Sequence, residues 1–395
     1  MPLVWSRSKN KLYPVGTKYS IKGDIMMYQR SVRFISFVIA LLGSLYATYA
    51  YATLFDPYQS SISSTMATFM KENHVPGAAV IIYASGKPYF YYFGYANPNN
   101  TPVTENTIFE IGSLSNMMAG LLFAQEVDMA NMKLDDTMRQ YIKTLSPRFE
   151  DITLKDLATQ VSGIGDTASV IPLSRLTLAA EPEKQWINAT MNTALLIKAI
   201  ETATGKDFDK LYHRHILIPL NMQSIGLTIH PKLAAYSATG YDEAGHPLTS
   251  SEKNLPAFDT IKASSKNMQK FLSAAIGLPG TPERIFYPMR LTQVAYVQLP
   301  NSMQGLGWHI HEMHAFSAIT HHLESNTDSV PVQSISDKPT YNGDNLFDQY
   351  GYTAGFTSYI AVLPNKQSGV VILTNKTLNN QRVIQVGREI LFSIR

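Results

Sequence analysis

The sequence predicts an α/β protein of the α+β type: an antiparallel sheet flanked by terminal helices, with an all-helical lobe inserted between its strands. Three observations carry this. Strand-like runs stand near both ends of the chain, the stretch from roughly 113 to 255 is mainly helical in pattern, and a helical segment closes the sequence. With 395 residues and 45% hydrophobic content, the chain can bury a large core in one unit of two interleaved lobes.

The first element is a leader. Residues 1–52 hold seven basic residues (Arg7, Lys9, Lys11, Lys18, Lys22, Arg30, Arg33) against the single acid Asp24. They lead into the apolar run Phe34 to Leu45 and then Ala50-Tyr51-Ala52, the pattern of a secretory signal peptide. The expected location is the periplasm. The alternative is an uncleaved anchor in the inner membrane, although the apolar run falls short of the ~20 residues a spanning helix needs. Met26-Met27 is a candidate translation start. Residues 53–395 then form the folded domain.

Ile62, Met66, Phe69 and Met70 have helical spacing within 59–74, and His74-Val75-Pro76-Gly77 stops that helix. Ala78 to Tyr83 reads as a strand, Ser85-Gly86-Lys87 as a turn, and the aromatic run Pro88 to Tyr95 as the second arm of a hairpin. Ser162-Gly163-Ile164-Gly165 marks a loop inside the helical lobe. Near the end, Ser358 to Leu363 and Gly369 to Thr374 read as buried strands joined by Pro364-Asn365-Lys366, followed by a helix from Val383 to Ile394.

Composition excludes several chemistries. There is no cysteine, hence no disulfide, thiolate metal site or cysteine nucleophile. Net charge is +3, but beyond residue 52 the chain holds 26 basic and 29 acidic residues, which gives no support to a nucleic-acid partner. His309, His311 and His314, with His321 and His322 nearby, form the one group that suggests a metal. The expectation is instead a surface strand with incidental histidines, no metal and no cofactor, because a zinc site needs three or four converging ligands.

Chemistry concentrates at Phe109-Glu110-Ile111-Gly112-Ser113-Leu114-Ser115-Asn116. A serine opening a helix shares a face with the residue three positions on. A lysine there could take the hydroxyl proton, whereas the Asn116 amide has no basic lone pair. The competing role for Ser113 is to cap the helix.

Several ordered phrases resemble class C β-lactamases and the related penicillin-binding proteins and esterases, from about residue 56 to the end. They are Val75-Pro76-Gly77-Ala78-Ala79-Val80, Gly86-Lys87-Pro88-Tyr89, Pro102-Val103-Thr104, Phe109 to Ser113, Gln304-Gly305-Leu306-Gly307-Trp308 and Gly355-Phe356-Thr357-Ser358-Tyr359. The resemblance implies three catalytic motifs, Ser-x-x-Lys, Tyr-x-Asn and Lys-Thr-Gly. Here the first is Ser113-Leu114-Ser115-Asn116. Alignment without gaps puts Asn188 in place of the tyrosine and Thr190 in place of the asparagine, and the third motif becomes Gln349-Tyr350-Gly351. Both lysines and the tyrosine are therefore replaced.

The resemblance further implies an oxyanion hole from the backbone N–H groups of Ser113 and Tyr352, and a carboxylate-binding pair at Asn379 and Arg382 that needs a one-residue gap. Lys184, Tyr241, Tyr350 and Tyr352 are candidate substitute bases or phenols. The expected reading is a monomeric pseudoenzyme that binds a β-lactam-like or peptidoglycan-like acyl ligand, or a protein, without efficient hydrolysis. Its rivals are an active serine hydrolase using Ser113 with an unconventional base, and a structural envelope protein.

Overall fold

The structure is a computed structural model that describes residues 38, 56–165, 171–222, 226, 230–248, 261–313 and 329–394. The chain divides into the units Met1–Pro57 and Tyr58–Arg395, and every element below belongs to the second. Apart from the isolated Val38, the expected leader and the candidate start codon lie outside the described residues, as do His314, His321 and His322. Among the described residues no helix is long and apolar enough to cross a membrane.

Helix α1 (Gln59–Asn73) buries Ile62, Met66 and Phe69 on one stripe. It ends where His74 turns left-handed at φ 51° and its N–H returns to the Met70 carbonyl. Strands β1 (Gly77–Ala84) and β2 (Lys87–Gly94) form the expected hairpin, with Ala84 opposite Lys87. The two-residue loop has positive φ at both Ser85 (50°) and Gly86 (79°), the twist that tight hairpins favour.

β1 and β2 join a nine-stranded antiparallel sheet in the order β10-β6-β7-β8-β11-β12-β13-β1-β2. The remaining strands of that sheet are β6 (Val297–Gln298), β7 (Met303–Gln304), β8 (His309–His311), β10 (Ser334–Ile335), β11 (Leu346–Thr353), β12 (Phe356–Leu363) and β13 (Ser368–Thr374). Two small pairs stand apart, β3 (Ile108–Glu110) with β5 (Lys262–Ser264) and β4 (Gln185–Ile187) with β9 (Ser329–Pro331).

The central strands are buried on both faces because helices cover both. Alternation divides their side chains: Ile81, Ile360 and Val371 pack with Met268, Phe271 and Leu272 of helix α4 (Ser265–Ile276). Val80, Tyr359 and Ile372 face the other way, with α1 and the Val383, Val386 and Ile390 side of helix α6 (Asn380–Ser393). Each fully buried Val or Ile side chain contributes about 1.5–3 kcal/mol.

The lobe between the sheet halves contains helices α2 (Ser115–Asp128) and α3 (Thr190–Thr204) and several shorter turns, and α5 (Glu283–Thr292) packs on α2. Two sequence expectations need correction. The closing helix starts at Asn380, earlier than Val383, because Asn379 caps it by accepting from the Gln381 N–H at 2.9 Å. The His309–His311 strand is interior: both histidines are buried, since β8 pairs with β11 inside the sheet.

Candidate active site

Strand β3 delivers the chain to Ser113. Its continuation is held by the Ile111 N–H bond to the Ile261 carbonyl at 3.0 Å, and Gly112–Leu114 then makes one 3₁₀ turn into α2. Strand β11 passes directly behind this turn. A Cβ on Gly112 would stand 2.7 Å from the Tyr352 nitrogen, and one on Gly351 would stand 2.9 Å from the Ser113 nitrogen. The two segments can approach so closely only because both positions are glycine. Ser358 locks the contact by donating to the Ile111 carbonyl at 2.7 Å. The backbones at Gly112-Ser113 and Gly351-Tyr352 are therefore packed against each other, and this packing requires glycine at both positions.

Ser113 does not cap a helix. Neither N-cap position of the segment, Ile111 or Leu114, makes a side-chain capping bond, and the Ser113 hydroxyl bonds to none of the described residues. It is half-exposed at the head of α2. Ser115 is fully buried, and its hydroxyl has no partner among the described residues.

Asn116 is oriented by a residue that no motif names. Thr193 of α3 donates its hydroxyl to Asn116 Oδ1 at 2.9 Å, bringing the first turns of α2 and α3 together. Asn188 and Thr190 lie just ahead of this contact, both half-buried. Their loop is pinned from behind by Gln160, whose carbonyl accepts from the Ile187 N–H at 2.8 Å and whose Oε1 accepts from the Ala189 N–H at 3.1 Å. Trp186 anchors β4 through Nε1–H to Gln304 Oε1 at 3.1 Å.

Gln349 is buried and committed at both ends. Its Nε2 donates to the Gly307 carbonyl at 3.0 Å, and its Oε1 accepts from the Tyr350 N–H at 2.9 Å. The Gln349 amide therefore bridges two backbone groups. Gly307 in turn sits on α2: its φ is +84°, and a Cβ there would stand 2.8 Å from the Asn116 carbonyl oxygen. Tyr350 stacks on the His309 ring at 5.9 Å between centroids, while the Tyr352 side chain is half exposed.

Behind Gln349 lies a buried ionic group that the sequence did not reveal. Asp348 accepts from Arg388 Nη2 of α6 at 2.7 Å and from the Tyr359 hydroxyl at 2.7 Å, and lies 3.1 Å from His311 Nε2. Burial pushes the Asp348 carboxyl up, yet the Arg388 guanidinium and then His311 overrule it and hold it well below the usual carboxylate range. Burial, reinforced by Asp348, raises the Tyr359 phenol far above its ordinary value. Among the described residues no group of three or more His, Asp or Glu could hold a metal ion.

The other candidates are dispersed. Asn379 caps α6, and Arg382 lines a groove between α1 and α6 together with Glu72 and Glu389. Lys184 is exposed ahead of β4. Tyr241, its phenol raised by burial, is held by its backbone N–H to the Gly355 and Asn375 carbonyls. Ser113, Asn116, Gly351 and Tyr352 are thus brought together, with Asn188 and Thr190 at the neighbouring helix end. Thr193 was missed, and its position three residues after Thr190 on one helix face was the available signal.

This architecture is the class C β-lactamase fold. The structure aligns with a D-alanine carboxypeptidase of Burkholderia cenocepacia at a TM-score of 0.78 and 24% identity, covering 85% of this chain and 98% of that one. It aligns with a β-lactamase/D-alanine carboxypeptidase of Pseudomonas syringae at 0.79 and 21% identity, covering 86% and 100%. In sequence, the chain is similar to a β-lactamase of Pseudomonas fluorescens (26% identical over 349 residues, 84% of this chain and 97% of the relative). It is similar also to a β-lactamase of Escherichia coli strain K12 (26% over 376 residues, 90% and 99%). The family model described as Beta-lactamase matches residues 62–392, and the chain belongs to that family.

Proposed function

We propose that this protein binds a β-lactam-like or peptidoglycan-like acyl compound at the Ser113 cleft without hydrolysing it efficiently. The observation that carries the reading is the hydrogen bonding around the nucleophile position. Ser113 has no proton acceptor among the described residues, the amide three positions on is turned to Thr193, and the amide at the third motif is tied to backbone. Attack by a serine hydroxyl on a carbonyl requires its proton to leave, and neutral amides cannot take it. General acid–base assistance is typically worth about 10²–10⁴ in rate. At the upper end its absence raises the barrier by about 5.4 kcal/mol.

Binding does not need that proton transfer. Backbone N–H groups at Ser113 and Tyr352 would donate to an acyl oxygen whatever the neighbouring side chains are. The N-terminal end of α2 favours negative charge on it. The basic and apolar leader pattern supports export to the periplasm as part of this reading. The retained serine and the family membership favour the rival reading, slow hydrolysis of a β-lactam, ester or D-amino-acid peptide.

Incubation with a fluorescent penicillin, followed by intact-mass measurement, separates the two. Reversible binding without a covalent adduct supports the proposal, while a Ser113 adduct or multiple turnovers that vanish in Ser113→Ala show that the hydroxyl does lose its proton and overturn it. The triple variant Asn116→Lys, Asn188→Tyr, Gln349→Lys is expected to gain acylation. If it stays folded and inert, the assignment of the motif positions is wrong.

A further inference from the structure

Behind the nucleophile strand lies a cavity of about 410 Å³, and its lining includes no residue from 111–116, 188–193 or 349–352. We infer that this cavity is a second binding site, for a small uncharged acyl compound with one carbonyl oxygen and a short apolar tail. Its volume falls within the ~300–1,000 Å³ range of small-molecule sites. Phe109, Leu248, Ala354 and Phe356 supply apolar wall.

Four polar residues line the same space: Glu110, Lys262, Ser237 and Thr239. Glu110 is buried, with Oε2 accepting from the Thr353 hydroxyl at 2.9 Å and Oε1 at 3.5 Å from Lys262 Nζ. The Ser237 and Thr239 hydroxyls are half-buried and bond to none of the described residues. A ligand carbonyl would accept from these hydroxyls, which lie along the segment held to β3 by the Ala238 N–H bond to the Ile108 carbonyl at 2.9 Å.

The charge class follows from the ion pair. Lys262 Nζ and Glu110 Oε1 stand 3.5 Å apart at the wall, so neither charge can be approached without the other close by. A carboxylate drawn to Lys262 would stand within a few ångströms of buried Glu110, and an ammonium drawn to Glu110 would stand as near to Lys262, so attraction to one member of the pair is offset by repulsion from the other. An uncharged head avoids both repulsions while its tail covers the aromatic wall. The site goes beyond the Ser113 reading and stands independently of it.

Hexanamide, hexanoate and hexylamine are matched probes for titration calorimetry on the full chain. Hexanamide is expected to bind one-to-one and about tenfold more tightly than either charged analogue, a difference of about 1.4 kcal/mol. Ala238→Leu fills the cavity and should weaken hexanamide at least about tenfold, Thr239→Val should weaken it several-fold, and Ser113→Ala should leave it unchanged. No saturable binding, equal affinity for a charged analogue, or loss of binding in Ser113→Ala overturns the inference. So does undiminished affinity in folded Ala238→Leu. Should that variant not fold, undiminished affinity in Thr239→Val overturns it equally.

Discussion

Thr193 donates its hydroxyl to Asn116 Oδ1 at 2.9 Å, across the junction of the two helices that frame the cleft. Asn116 is thus an oriented part of the packing between α2 and α3. A neutral hydrogen bond of this kind is worth about 0.5–1.5 kcal/mol. Thr193→Val should lower unfolding free energy by that amount in the native background and by much less in Asn116→Ala. A double-mutant cycle by urea denaturation that returns no coupling would refute the contact.

Gln349→Lys by itself should destabilise the protein. It removes the acceptor of the Tyr350 N–H and places an ammonium where a buried amide bridged two backbone groups. Leaving such a group unsatisfied costs about 1–3 kcal/mol. The prediction is a lower melting temperature with no gain in penicillin reactivity. Unchanged or increased stability would contradict the bonding described for Gln349.

Arg388→Met tests the buried ionic group. Removing one partner of such a pair typically costs about 3–5 kcal/mol, because the other charge is left buried. The pH dependence has a definite sign. The Asp348 carboxyl is depressed in the folded state, so its contribution is present above its unfolded pKa of about 3.9 and is lost as pH falls through the lower folded value. The native protein should keep this contribution at pH 5, whereas in Arg388→Met the acid-induced loss should begin at higher pH. Identical acid-unfolding midpoints would count against it.

Asp156 has the opposite slope. Burial, partly offset by hydrogen bonds from Thr153, pushes its carboxyl up to about 6, and its Oδ1 has no partner among the described residues. A carboxyl raised on folding favours the folded state only while protonated. Stability should therefore decline as pH rises from about 4 to 6, by roughly 2–3 kcal/mol. Asp156→Asn keeps an oxygen for the Thr153 N–H, which now bonds to Asp156 Oδ2 at 2.9 Å, and should flatten that slope. Melting temperature followed across the interval decides it. A slope unchanged in the variant would assign the dependence to another group.

Gly307→Ala should be poorly tolerated. The left-handed backbone costs about 1–2 kcal/mol for a residue with a Cβ, and that atom would meet the Asn116 carbonyl oxygen at 2.8 Å. The expected result is a lower melting temperature and weaker ligand binding, since the displaced element is the first turn of α2. Full stability of the variant would show that this approach is not tight.

Helix α1, the β1–β2 hairpin, the strands β12 and β13 and the closing helix were all legible in the chain. Their periodicity, turn residues and glycines are local signals. β11 was not legible as an eight-residue strand, because Asp348 and Gln349 interrupt its apolar pattern. Those two residues are buried only because Arg388, His311 and Tyr359 satisfy one and backbone groups satisfy the other. The histidine strand was misplaced on the surface for the same reason, since the acid that draws His311 inward is 37 residues away.

By itself, then, the amino-acid order determined the family's architecture, the absence of any thiol chemistry, and the presence of amide side chains at positions 116, 188 and 349. Tertiary structure alone decided what those side chains are bonded to. Asn116 is aligned by Thr193, Gln349 bridges backbone, and Gly112 and Gly351 let two strands of the site touch. Periodicity and motif spacing are properties of neighbouring residues, whereas hydrogen-bond commitment and close approach depend on residues far apart in sequence and joined only by the fold.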